Sequence, residues 1–287
     1  MKLKKKNVLV TGSSGFVGRH LVKKLKEMGA SVTSFDIANG RDVTKWSDIR
    51  NVKNTDIVFH LAAATFVPLS QKDPRRIYEA NVIGTLNALE ICRLKGSKMI
   101  FASSYVYGNP EYIPIDEKHP VKPMNPYARS KVLGEILCRN YYEDFGVRCI
   151  ILRPFNIYGK GQRDFFLIPE IIKQLNTKTQ LTLKDLTPRR DLVHVNDVVN
   201  AYIRAAVHDK QSFNIFNIGY GKSYSVLEVA EKLVELSGRR VQIKSLGEKR
   251  RGEVADTIAD IRKARNLLNW RPTVDIDEGL ESLIIDR

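Results

Sequence analysis

With 287 residues, 43% apolar and 28% charged, the chain has the balance of an ordinary globular protein and not of a disordered one, and its length suits one large α/β unit or a nucleotide-binding domain with a smaller companion. A net charge of +15 admits nucleic acid, an anionic membrane or a polyanionic small ligand, but the basic residues are scattered without an aromatic-interleaved stripe, which argues for a lysine-rich solvated surface. Three cysteines, Cys92, Cys138 and Cys149, with no CxxC pair exclude a disulfide framework and a zinc site and fit a reducing cytoplasm.

The basic, then apolar start MKLKKKNVLV is cut short by Thr11-Gly12-Ser13-Ser14-Gly15, so it reads as a strand and not as a targeting segment. Asn7–Thr11 is a buried strand, Gly15–Met28 a helix ended by Gly29, Ser31–Asp36 a second strand and Asp56–Leu61 a third. A long helical pattern covers Ser70–Leu94, then a strand Lys98–Ser103, a helix Pro126–Phe145 and a strand Val147–Arg153. Strands alternating with helices predict a parallel sheet covered on both faces, an α/β, Rossmann-like doubly wound fold. After Pro154 the alternation weakens, with helices at Ile168–Leu175, Val195–His208 and Val226–Ser237 and strands at Ser212–Ile218 and Val241–Ser245. The expected organisation is a dinucleotide-binding Rossmann domain over 1–162 and a smaller mixed α/β substrate-binding region over 163–287, with 212–218 returning to the main sheet. The apolar stretch 148–159 is too short for a membrane helix, which needs ~20 residues.

The stretch 10-VTGSSGFVG-18 joins the first strand to the first helix with glycines at 12, 15 and 18. Gly12 permits the tight turn, Gly15 the approach of a pyrophosphate and Gly18 close helix–strand contact, with the helix N-terminus facing the phosphates. Asp36, at the end of the second strand, is placed to accept from ribose hydroxyls and to repel a 2′-phosphate, which favours NAD; Arg41 keeps NADP as the lesser alternative. NPYARSK (125–131) puts Tyr127 and Lys131 four positions apart on one helix face. On its own the pair is either a packed tyrosine beside a solvated lysine or a proton-transfer pair in which Lys131 lowers the phenol pKa from about 10.

Taken together, TGSSGFVG (11–18), HLAAA (60–64), Asn81 in EANVIGT, SSYVYG (103–108), YARSK (127–131), RPFNIYG (153–159), RRDLVHVNDV (189–198) and R-G-E (251–253) resemble the extended short-chain dehydrogenase/reductase family, in its nucleotide-sugar branch. The resemblance spans roughly residues 7 to 285. It implies Ser103, Tyr127 and Lys131 as the catalytic set, the lysine also holding the nicotinamide ribose. It implies cofactor contacts at Gly12, Ser14, Gly15, Phe16, Val17, Gly18, Asp36, Ile37, Asp42, Val43, Leu61, Ala62, Ala63, Asn81 and Pro154. Ser103, Ser104, Asn156, Arg190 and Arg251 would meet the substrate, the arginines clamping its diphosphate. The five histidines, His60 and His194 among them, have no ligand-like spacing and are read as structural.

Dehydratases of this family have an acidic residue just after the catalytic Ser/Thr, where this chain has Ser104 and Tyr105. The leading expectation is therefore an NAD-dependent nucleotide-sugar epimerase acting at C4, with a tyrosinate as base. The alternative is an NAD(P)H-dependent reductase of a nucleotide-linked 4-keto-6-deoxy sugar, favoured by the shortness of 37-IANGRDVTKWSDIRNV-52. A non-catalytic nucleotide- or RNA-binding scaffold is disfavoured by the complete Ser–Tyr–Lys set. No metal, nucleic acid or membrane partner is expected. A homodimer is, through helices over 77–94 and 126–145 carrying Leu86, Leu89, Leu133 and Leu137.

Overall fold

A computed structural model describes residues 3–66, 71–249 and 252–285. In chain order the elements are β1 (Asn7–Thr11), α1 (Phe16–Glu27), β2 (Ser31–Phe35), α2 (Trp46–Ile49), β3 (Ile57–His60), α3 (Pro74–Tyr78), a π turn over Glu79–Ile83, α4 (Gly84–Lys95), β4 (Lys98–Ala102), α5 (Pro126–Phe145) and β5 (Cys149–Pro154). There follow β6 (Asn156–Tyr158), α6 (Leu167–Thr177), β7 (Gln180–Leu183), β8 (Arg189–His194), α7 (Val195–Val207), β9 (Phe213–Ile218), β10 (Ser223–Ser225), α8 (Val226–Ser237), β11 (Gln242–Ser245), α9 (Arg262–Leu268) and α10 (Ile276–Ile285). No helix among the described residues is long and apolar enough to cross a membrane.

The main sheet is parallel, in the order β2-β1-β3-β4-β5-β9. Its central strands β3 and β5 are wholly buried and largely apolar because both faces are covered, whereas the edge strand β2, SVTSF, is partly exposed. Val8 and Val10, Ile100, and Ile150 and Leu152 point into one core with Leu21 and Leu25 of α1 and Val198 and Tyr202 of α7. Leu9, Met99, Phe101, Cys149 and Ile151 point into the opposite core with Leu89, Ile91 and Cys92 of α4 and Cys138 of α5. The three cysteines are free and buried. The strand order reverses between β1 and β3, which opens a crevice at the carboxyl ends of those strands.

The strand expected over 212–218 does return to this sheet, as β9 alongside β5. So does more than expected: α7 also covers the sheet and packs in the α1 core. Buried Lys98 fastens the end of α7, its Nζ donating to Ala205 O (2.8 Å) and His208 O (2.5 Å). What remains is a separate layer, the mixed sheet β10-β8-β6 and the parallel pair β11-β7, around a third core with Ile171, Leu181 and Leu233. The helix expected over 70–94 is interrupted by the π turn, a wide turn of the kind that concentrates at functional sites. Of the leucines expected to face a partner, Leu89 is fully buried in the core, while Leu133 is 41% exposed.

His60, at the end of β3, locks three elements. Thr85 Oγ1 donates to Asn81 O, so it accepts from His60 Nε2, and Nδ1 accepts from Thr11 Oγ1 at 2.7 Å. Burial pushes its pKa down to about 3. Below pH 6.5 the unfolded chain binds a proton that the folded ring refuses, so stability is lost as pH falls from 6.5 toward 3, by at most about 1.4 kcal/mol per pH unit. Urea unfolding between pH 7 and 5 should show this loss, and His60→Gln should flatten it from a lower starting stability. An unchanged slope in the variant would assign the acid sensitivity elsewhere.

Candidate active site

The glycine turn after β1 is pressed against the segment after β3. Gly12 has φ +70°, and a Cβ there would stand 2.6 Å from Ala62 N; a Cβ on Gly18 would stand 2.0 Å from Gly12 O. Neither position accepts a side chain. Gly15 is the N-cap of α1 with no side-chain capping bond, which leaves the first-turn N–H groups, at Phe16 and Val17, to an anion. Val17 packs toward the α1 core and Phe16 edge-on to His20, so both offer the crevice their backbone. The Ser13 hydroxyl is buried in this turn without a hydrogen-bond partner among the described residues.

Asp36 follows β2 and is fixed by two backbone donors, Ser14 N to Oδ2 and Ala38 N to Oδ1, each 2.9 Å. Beside it Ile37 is 74% exposed, a bare apolar surface at the crevice rim. Asp42 accepts from Thr44 N and Oγ1 and is itself held by Asp48. Val43 packs beneath Gly84, so its side chain faces the core. Leu61, Ala62 and Ala63 run along the far wall, Leu61 N donating to Thr11 O at 3.1 Å. These residues form a cradle that fits a dinucleotide: glycines where a Cβ is barred, an open helix start, an orphaned hydroxyl and a pre-aimed carboxylate.

Asn81, expected at the cofactor, turns its side chain to the protein. It is buried in the π turn, where Oδ1 accepts from Ala64 N (2.8 Å) and Nδ2 donates to Ala64 O (3.2 Å) and Ser130 Oγ (2.8 Å). Ser130 Oγ in turn donates to Tyr127 O at 2.7 Å. Asn81 thus staples the wall after β3 to the start of α5.

α5 begins crisply, with Asn125 Oδ1 accepting from Ala128 N at 2.9 Å and Pro126 in the first turn. Gly134 lets it lie on β4, since a Cβ there would meet the Phe101 ring at 2.5 Å. Tyr127 is half-buried at the crevice. Burial raises its phenol pKa, and a hydrogen bond with the Ser104 side chain opposes that rise. Lys131 points inward from the same helix face: Nζ donates to Ala102 O at 2.8 Å and lies 5.2 Å over the Phe101 ring. Burial lowers its pKa to about 8. The expected lowering of the phenol by Lys131 is therefore not seen, because i, i+4 spacing sets a shared face and not a contact.

The two serines, both expected at the substrate, turn to different partners. Buried Ser103 donates Oγ to Glu135 Oε1 at 2.5 Å, and Ser104 is the hydroxyl that meets Tyr127. Glu135 is held by Arg153 through Nε (2.8 Å) and Nη2 (2.5 Å); Arg153 Nη1 donates to the Tyr107 hydroxyl, which donates to Asn217 Oδ1 at 2.6 Å. Glu135 and Arg153 were not singled out from sequence, although Glu135 continues the face of Tyr127 and Lys131 one turn further on.

On the substrate side, Pro154 closes β5 and Asn156 follows in β6, its Nδ2 donating to Asp191 O at 3.3 Å. Arg190 donates to Arg189 O and Val254 O, both 2.7 Å, and pairs with Glu253. It also works against the burial that raises the Tyr105 phenol pKa, which puts its charge on the SSYVYG side of the crevice. Buried Asp191 braces this region by accepting from Tyr220 N, Gly221 N and Ala259 N. Arg251 lies outside the described residues.

Known proteins resemble this chain in sequence and in fold. Residues 8–219 match the sequence model of the NAD dependent epimerase/dehydratase family. A putative UDP-glucose 4-epimerase of Methanocaldococcus jannaschii is 35% identical over 96% of this chain and 97% of its own. A GDP-6-deoxy-D-mannose reductase of Pseudomonas aeruginosa is 30% identical over 97% of this chain and 96% of its own. Among solved structures, a UDP-N-acetylglucosamine 4-epimerase from Methanobrevibacter ruminantium M1, in complex with UDP-N-acetylmuramic acid, superposes with a TM-score of 0.91 at 28% identity over 98% of each chain.

Proposed function

This chain belongs to the NAD dependent epimerase/dehydratase family, and from that premise we propose that it epimerises a nucleotide-diphosphate-linked sugar at C4. The observation that carries the reading is the Tyr127–Ser104 pair at the crevice with no carboxylate following Ser103 in the chain. Tyr127 takes the proton from the sugar hydroxyl, and Ser104 holds the same oxygen as it becomes a carbonyl. Bound NAD would supply the hydride acceptor. Lys131, a buried cation at the end of β4, orients the ribose; Gly12, Gly15 and the start of α1 seat the pyrophosphate; Asp36 holds the adenosine ribose. Arg190, with Arg251, clamps the substrate diphosphate, and the region over 163–287 outside the main sheet selects base and sugar. No carboxylate follows Ser103 in the chain, and Glu135, which meets it from α5, is held by Arg153, which argues against elimination across C5–C6.

The test is incubation with UDP-, GDP-, CDP- and dTDP-sugars without added reductant, read by product NMR. Conversion to an isomer is the expected result. Turnover that appears only with added NAD(P)H and a 4-keto sugar would replace this reading by the reductase, which the similarity to the Pseudomonas aeruginosa protein supports. Cofactor preference rests on Asp36: Asp36→Asn should narrow the ratio of NAD to NADP affinity by about tenfold or more, since a hydrogen bond to a charged group is worth ~1.5–3 kcal/mol. A homodimer through α4 and α5 belongs to the same reading, with Ile83, Leu94, Leu133 and Ile136 left exposed.

A further inference from the structure

At the far end of α7, away from the crevice, a cavity of about 480 Å³ is walled by Asn200 and Arg204 of α7, Arg265 of α9, and Asn269, Trp270 and Arg271 beyond it. That end of α7 is the one Lys98 fastens at the start of β4, whereas the glycine turn lies past the end of β1 in the same parallel sheet, so the two sites are on opposite edges. Among the described residues none of these three guanidiniums forms an ion pair, and no carboxylate lines the cavity. Arg204 and Arg265 each stand in the last turn of a helix, where a cation is favoured. That explains each of them singly. It explains neither Arg271 nor why three arginines line one cavity.

The wall behind them is fixed. Trp270 Nε1 donates to Asp197 O at 2.9 Å, and Asn269 caps α9 at φ +50°. The Asp197 carboxylate accepts from Thr273 N (3.0 Å), Thr273 Oγ1 (2.8 Å) and Val274 N (3.1 Å), so it holds the segment in place and does not neutralise the arginines. We propose that this cavity is a second anion site, for a small molecule bearing a di- or triphosphate group. Planar guanidinium forks bind phosphate oxygens in pairs, the carboxamides of Asn200 and Asn269 add neutral hydrogen bonds, and the volume is that of a small-ligand pocket. The site is independent of the reaction assigned to the crevice.

The test uses protein saturated with NAD and UDP, so that the crevice is blocked, and titrates sodium tripolyphosphate by calorimetry at low ionic strength. One further equivalent should bind, more weakly as salt is raised. Arg204→Gln/Arg265→Gln/Arg271→Gln should weaken it at least tenfold with NAD affinity unchanged, and Arg271→Gln alone, outside any helix, at least threefold. No binding to the saturated protein, or equal binding by both variants, would overturn the proposal. So would a single-stranded oligonucleotide that binds more tightly than tripolyphosphate with a steeper salt dependence, which would make this face a nucleic-acid surface.

Discussion

Tyr127→Phe should lower turnover by about 10²–10⁴-fold, the range for loss of a positioned acid–base group, while dinucleotide affinity and the urea midpoint stay near those of the parent. The ring keeps its packing and loses only the hydroxyl, so a large effect on rate with a small one on stability isolates the chemistry. The pH profile adds a sign. Burial raises the phenol pKa above 10 and the Ser104 bond alone opposes it, so the rate should climb toward alkaline pH as the phenolate fraction grows. Ser104→Ala removes the opposing bond and should move that climb to higher pH. Ser103→Ala, whose hydroxyl is turned to Glu135, should leave it in place. A Tyr127→Phe enzyme with unaltered turnover would remove the phenol from the reaction altogether.

The second large effect is on stability. Arg153 and Glu135 form a buried bidentate pair, their side chains 4% and 8% exposed. Arg153→Met leaves the carboxylate of Glu135 uncompensated in the interior and should cost about 3–5 kcal/mol in urea unfolding. The double variant Arg153→Met/Glu135→Leu removes both charges and should recover much of that loss, because burying an ion pair costs desolvation on both sides. If the double variant is as unstable as the sum of the two single changes, the pair is not acting as a unit.

Where local chemistry decides, the elements could be read from the chain. α5 and α8 have the predicted limits because their caps are local: Asn125 and Gly146 for one, the Ser225–Glu228 capping box and Gly238 for the other. The β1–α1 cradle was equally legible, since three glycines carry it. β6 and β10 were not, at three residues each, nor was β8, which opens on two arginines that no apolar pattern marks. The same divide runs through the site. Tyr127 and Lys131 are visible as a spacing, but where Lys131 points is decided by Ala102 O, and which serine faces the crevice by Glu135, 32 positions away. Arg190 is legible as a phosphate-binding arginine, but the sequence does not show that Glu253, 63 residues on, holds its guanidinium in place.

The wide turn at 79–83 has a consequence for the phase of the helix that contains it. It winds in one residue beyond α-helical pitch, which rotates everything downstream by about 100° relative to everything upstream. Asn81 can therefore grip Ala64 and Ser130 while Leu89, Ile91 and Cys92 face the sheet, two orientations that a regular helix would set against each other. Loss of one residue there would straighten the coil and force a choice between the grip and the core.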